Sequence, residues 1–228
     1  MSTDEEDLGA SSPVHLSEAG FDLTVVDRLL STTRAVRRRL DYTRPVQRET
    51  VLDCIRLSQQ APTGTNAQHW RWLVLDDPDQ RRAIGEIYAR GIPLLDASAK
   101  NAPNEQTAKV YGDARDFAAR LGEVPVLVIP CLEGRLAEEA PLVEATTYFA
   151  SIYPAVWSFQ LALRSRGLGS LLTTMHLAFE EESRAVLGLP EDVVQMAMIP
   201  VAYTIGTDFK PTRRPPPESI THFNTWGG

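Results

Sequence analysis

The chain is predicted to fold as an α+β protein, a modest sheet inside a shell of helices. Three observations carry this. Short apolar runs bounded by turn residues, "RWLVLD", "VPVLVIPCL" and "MIPVAYTIG", alternate with stretches of helical periodicity. The run 145–163, "ATTYFASIYPAVWSFQLAL", is uncharged and apolar nearly all round, so as a helix it needs cover on every side. No internal repeat and no linker divides the chain beyond residue 20, so residues 21–228 are expected to form one domain.

The elements follow in order. "MSTDEEDLGASSP" opens a disordered acidic tail over 1–20, with neither the basic n-region nor the apolar h-region of a signal peptide. In "FDLTVVDRLLSTT", Leu23, Val26, Leu29 and Leu30 share one helical face. It runs into "RAVRRRLDYTRPV", with four arginines in six residues. A helix over 48–60 and a strand over 71–76 come next. "DPDQRRAIGEIYARG" reads as a helix capped by Asp77 or Asp79 and ended by Gly91. Rhythm is lost over 92–122, a lid-like excursion with one or two short helices. A buried strand over 124–132, one long helix, "GLGSLLTTMHL", the helix "EEESRAVLGLP" and a third strand follow. The Pro-rich stretch 207–228 is an extended C-terminal arm.

Composition excludes several classes. At 228 residues, 43% hydrophobic and 23% charged, the chain is an ordinary globular protein able to bury a proper core. A net charge of −7, much of it from Asp4, Glu5, Glu6, Asp7 and Glu18, argues against nucleic acid. The 145–163 run is nearly long enough to span a bilayer, but it holds Thr146, Thr147, Ser151, Ser158, Gln160 and a mid-run Pro154. It is a buried helix, and no membrane association is expected. Cys54 and Cys131 lie far apart without a CxxC and read as buried thiols of a reducing cytoplasm. His15, His69, His176 and His222 lack ligand spacing, so no metal site is expected. GxxxxGK[ST], HExxH and GxSxG are absent, and "GLGSLL" lacks the third glycine and the preceding strand of a dinucleotide fingerprint.

What remains is "APTGTNAQHW", 61–70, where a helix-to-strand turn carries far more amides and small polar groups than a turn needs. Asn66 and Gln68 offer donors and acceptors suited to a ring with imide edges. Arg34, Arg37, Arg38 and Arg39 cannot all share one solvated helix face. A lone cluster of this kind is as well read as an exposed basic surface. Arg213 and Arg214 form a second group in the extended arm, and two groups converging on one anion would make a phosphate site.

In this order, R-A-V-R-R, A-P-T-G-T-N-x-Q-x-W opening a strand, R-G-L-G-S-L-L-T-T after a long apolar helix, L-G-L-P, a last strand and R-R-P-P-P, the chain resembles the FMN-dependent nitroreductase family across about residues 24–222. The A-P-[ST]-x-x-N-x-Q-x-W block is the specific part. The "TTR" opening is most similar to an actinobacterial branch. The resemblance implies a nitroreductase-like fold, a small mixed or antiparallel sheet surrounded by helices in an intertwined homodimer, with FMN at the subunit interface. Arg34, Arg37 and Arg38 then match the early phosphate-binding segment and Arg214 the late one. Pro62, Thr63, Gly64, Asn66 and Gln68 match the loop that meets the flavin, part of it serving the partner's cofactor. Leu172, Thr173 and Thr174 match the stretch whose backbone N–H groups lie at the flavin N5 and O4 edge.

Three departures stand out. Ala35 replaces a frequent Ser, Arg39 is one arginine more than usual, which leaves the assignment among Arg37, Arg38 and Arg39 open by one, and His69 stands where Pro is usual. The resemblance implies a cytoplasmic NAD(P)H oxidoreductase passing electrons by a ping-pong cycle to a small aromatic acceptor, a nitroaromatic or a quinone. It names no catalytic side chain and gives NADH or NADPH as donor. Reductive dehalogenation or flavin breakdown on the same fold, or an FMN carrier or sensor, are the alternatives.

Overall fold

The computed structural model describes residues 16–227. The acidic tail through His15 lies outside the described residues. Residues 16–20, read from sequence as part of that tail, form a turn in which Gly20 N–H donates to the Ser17 carbonyl at 2.9 Å and Ser17 N–H to that of Phe21 at 2.8 Å.

The described residues form two compact units, 16–32 with 209–227, and 33–208. The first holds α1 (Leu23–Thr32), opened by the Asp22 carboxylate, which accepts from the N–H of Thr24 and Val25. Its expected apolar face is incompletely covered, since Leu23 and Leu30 remain exposed. The arm over 209–227 is extended apart from one short turn, Pro217–Ile220, and leaves Ile220, Phe223 and Trp226 exposed.

The second unit carries the sheet. Strands β1 (Trp70–Leu75), β2 (Val126–Glu133), β3 (Leu168–Ser170), β4 (Val193–Gln195) and β5 (Ile199–Tyr203) pair antiparallel in the order β1-β2-β5-β3, with β4 also on β2. Register is fixed by pairs such as Trp70↔Leu132 and Val128↔Ile199. The two central strands are buried almost throughout, which is why they read as unbroken apolar runs rather than alternating ones. Strands β3 and β4 have three residues each, too few to show a period in sequence.

Helix α2 (Arg48–Ser58) lays Val51, Cys54 and Ile55 on the core, and α3 (Pro78–Ala89) begins where Asp77 accepts from the N–H of Asp79 and Gln80, with Pro78 just inside. The 92–122 excursion is a helical hairpin, α4 (Ile92–Lys100) and α5 (Glu105–Ala118), tied by Arg115 to Asp96 at 3.1 Å. Helix α8 (Glu180–Leu187) ends at Gly188.

The single long helix expected over 145–163 is instead two, α6 (Leu142–Ala150) and α7 (Tyr153–Ser165). Pro154 has no N–H for the carbonyl of residue 150 and its ring would strike that carbonyl, so the chain breaks and restarts with proline in the first turn. The halves differ in burial. Helix α7 puts Ala155, Val156, Phe159 and Leu163 into the core, where Phe159 meets Trp72 with ring centroids 5.2 Å apart. Helix α6 buries none of its residues, and Leu142 and Val143 are 83% and 75% exposed. The cover that sequence demanded is thus supplied to one half only.

Candidate functional site at two edges of one sheet

The residues singled out from sequence fall into groups that the sheet keeps apart. One lies on the β3 edge. The arginine segment is non-helical and runs beside β3: Val36 N–H donates to the Ser170 carbonyl at 3.0 Å, and Leu40 bridges Thr204. Arg39 is absorbed by structure, donating to the Ile205 carbonyl at 2.8 Å and pairing with Asp208. Arg38 lies 3.7 Å from Asp113 of α5. Arg34 and Arg37 have no ion-pair partner among the described residues. Arg37 and Arg38 open onto a cavity of about 210 Å³ shared with Tyr42, Asp113, Phe117 and Arg120. The hairpin of 92–122 therefore lines this arginine cavity.

Residues 172–174 follow β3, and the bond pattern there distinguishes Thr173 from its two neighbours. Thr173 N–H donates to the Met198 carbonyl at 2.9 Å, and Met198 N–H returns the bond at 2.8 Å. In an extended chain neighbouring amides point to opposite sides. The N–H groups of Leu172 and Thr174 face away from Met198 and have no hydrogen bond among the described residues.

Sequence reasoning missed Tyr88. It sits in α3, 4% exposed, its hydroxyl 2.6 Å from Thr173 Oγ1. Burial pushes its phenol up, while the Thr173 bond and the nearby Arg37 charge act the other way. An aromatic residue on a helix's apolar face gives no sequence signal of such a bond.

The amide-rich turn lies at the opposite edge, before β1, with β2 and β5 in between. Here Gly64 N–H donates to Ser151 Oγ at 3.1 Å, and a Cβ on Gly64 would stand 2.4 Å from Thr147 Cγ2. Only glycine lets the turn come this close to α6. Thr65 and Asn66 have φ of +52° and +58°, a conformation that side chains other than glycine's adopt at a cost. Gln68 Nε2 donates to Asn66 Oδ1 at 3.0 Å, so the two amides fix each other. The turn walls a cavity of about 520 Å³ with Leu132, Glu133, Val143, Glu144 and Tyr148. His69 lines it too and is exposed, and Glu133 is held by Arg71 at 2.6 Å.

Arg213 and Arg214 are exposed in the extended arm of the other unit. Cys54 and Cys131 are buried and free, their thiols raised by burial to about 11 and about 12. His176 is fully buried, with neither ring nitrogen bonded. Among the described residues no group of His, Cys, Asp and Glu is placed to hold a metal, and no helix is long and apolar enough to cross a membrane.

Chemically, the β3 edge offers two guanidinium groups without an ion-pair partner and two backbone N–H groups without a hydrogen bond, among the described residues. The β1 edge offers a tight, strained, amide-bearing wall. These groups suit a flat heterocycle with a phosphate tail, and within one chain two strands, β2 and β5, lie between the two edges.

The family description "Nitroreductase family" matches residues 30–203. The chain is 28% identical over 200 residues to an iodotyrosine deiodinase of Thermotoga neapolitana, covering 86% of this chain and 97% of that protein. It is 29% identical over 201 residues to an NADH dehydrogenase of Thermus thermophilus, covering 82% and 90%. Among solved structures, oxidized iodotyrosine deiodinase bound to FMN and 3-iodo-L-tyrosine superposes with a TM-score of 0.67 at 24% identity, covering 88% of this chain and all of that one.

Proposed function

The chain belongs to the nitroreductase family, and from that premise we propose that it is an FMN-dependent NAD(P)H oxidoreductase of the cytoplasm, working as a homodimer on small aromatic acceptors. The "TTR" opening supports placing it in an actinobacterial-type branch. The observation that carries the reading is the β3 edge, where the segment of Arg34 and Arg37, neither of them ion-paired among the described residues, bonds to Ser170 through Val36, and where the N–H groups of Leu172 and Thr174 have no hydrogen bond among the described residues.

The residues present fit FMN. When bound, the flavin supplies reversible acceptance of a hydride from NADH or NADPH and delivery of electrons to a second substrate, a nitroaromatic or quinone. Arg34 and Arg37 would hold the phosphate, with Arg214 as the late partner that the family pattern implies. This favours Arg37 over Arg38 and Arg39, which have carboxylates beside them already. The N–H groups of Leu172 and Thr174 would favour negative charge on the ring edge, because fixed dipoles need no reorganisation when that charge develops. The 62–68 turn would wall the ring of the partner's cofactor, since β2 and β5 separate it from its own chain's donors. No side chain is needed as general acid or base.

The similarity to an iodotyrosine deiodinase supports a second reading, reductive dehalogenation at the same site. Turnover of 3-iodotyrosine against a nitroaromatic separates the two.

The binding reading is tested by titrating flavins into the apoprotein and following fluorescence quenching. FMN should bind and riboflavin, without the phosphate, far more weakly. Arg34→Ala and Arg214→Ala should each weaken FMN by roughly 2 kcal/mol, the loss of a charge-assisted pair on a phosphate. Equal retention of FMN by both variants would place the phosphate elsewhere.

A further inference from the structure

We infer that Tyr88 is a positioning residue for the donor pair at the β3 edge, acting through Thr173. The inference rests on the functional reading above and concerns how the edge is held.

Thr173 is fixed at three points. Its backbone N–H and carbonyl are both spent on Met198, and its hydroxyl on Tyr88 at 2.6 Å. The residues on either side of it are the ones whose N–H groups are unspent. Rotation about the 172–174 run is what would turn those two donors out of line, and the Tyr88 bond opposes it from the helix side. A second contact acts in the same place: Gly91, just beyond α3, has no room for a Cβ, which would stand 2.5 Å from Met175 Cγ. The end of α3 is thus packed against the residues that follow the donor run.

The hydroxyl is the specific part. A buried hydroxyl without a partner is costly, and Phe would fill the same apolar position with no such requirement. Tyr88 is also within electrostatic reach of Arg37.

The test uses the full-length protein as wild type, Tyr88→Phe, Thr173→Val and the double variant. Two quantities are read: the affinity for oxidised FMN by fluorescence quenching, and the ratio of reduced to oxidised affinities from the midpoint potential of the bound flavin. Tyr88→Phe should leave the oxidised affinity within about twofold and lower the ratio about fivefold, the net size of one hydrogen bond. Thr173→Val should match it, and the double variant should lose no more, because both remove the same bond. An unchanged ratio in both single variants, or losses that add in the double, would overturn the assignment. Should Tyr88→Phe fail to fold, Thr173→Val alone decides by the same ratio. A wild-type chain that leaves FMN fluorescence unquenched overturns the functional reading and this inference with it. Quenching by wild type with a ratio indifferent to Tyr88 overturns this inference alone.

Discussion

Gly64 shows how closely a single position is determined. A methyl group there would lie 2.4 Å from Thr147 Cγ2 and 3.1 Å from Ser151 Oγ. Gly64→Ala should therefore cost about 1–3 kcal/mol in a urea melt, the usual range for overpacking. Adding Thr147→Ser, which removes the clashing methyl, should restore most of it; a double variant no more stable than Gly64→Ala would show that the clash is elsewhere. His176 makes a different residue-scale case. Burial lowers its pKa from 6.5 to about 4, so the unfolded chain takes up the proton first as pH falls. Stability from this group is complete above about pH 6.5 and is lost toward pH 4, by roughly 2 kcal/mol between pH 6.5 and 5. His176→Phe should flatten that part of the profile in urea melts at several pH values, and parallel profiles for the two proteins would contradict it. Of these residues, the sequence announced Gly64 through its crowded turn. It left Tyr88 and His176 silent, because a buried hydroxyl or imidazole is defined by what lies across the core, not by its neighbours in the chain.

At the scale of elements, long periodic segments and their caps were legible. Asp77 ahead of Pro78 marked the start of α3, and the apolar run "VPVLVIPCL" marked β2. The break between α6 and α7 was written in Pro154 but outweighed by the uncharged run around it. Strands β3 and β4 were too short to read. The unburied face of α6 now bears the weight that the whole 145–163 segment was expected to bear. Ala155 and Ala162 are core residues of α7, so a charge there would unfold the chain whatever its oligomeric state. Val143 is the better probe, 75% exposed on α6 beside the turn cavity. Val143→Glu should leave the chain folded by circular dichroism but shift it from dimer to monomer in light scattering and weaken its hold on FMN. A dimer with unchanged affinity would remove α6 from the interface.

For the whole molecule, sequence order was a better guide than any one residue. The arginine segment, the amide turn and the G-L-G-S-L-L-T-T run fall in the right succession, yet succession alone could not show that the first and third share a sheet edge and the second lies across two strands from them. That separation follows from the pairing order β1-β2-β5-β3, a long-range property with no local signature. On the functional reading above, that separation would have two chains complete one site, each edge supplying part of what a flavin needs, and Leu142 and Val143 of α6 are exposed, Val143 beside the turn cavity. The most direct test is an anaerobic absorption spectrum of the purified protein, taken before and after NADH or NADPH and again after a nitroaromatic. The expected result is an oxidised flavin spectrum released as FMN on denaturation, bleached by the nicotinamide and restored by the acceptor. A colourless protein that does not quench added FMN, or a bound flavin that neither NADH nor NADPH bleaches, would contradict it.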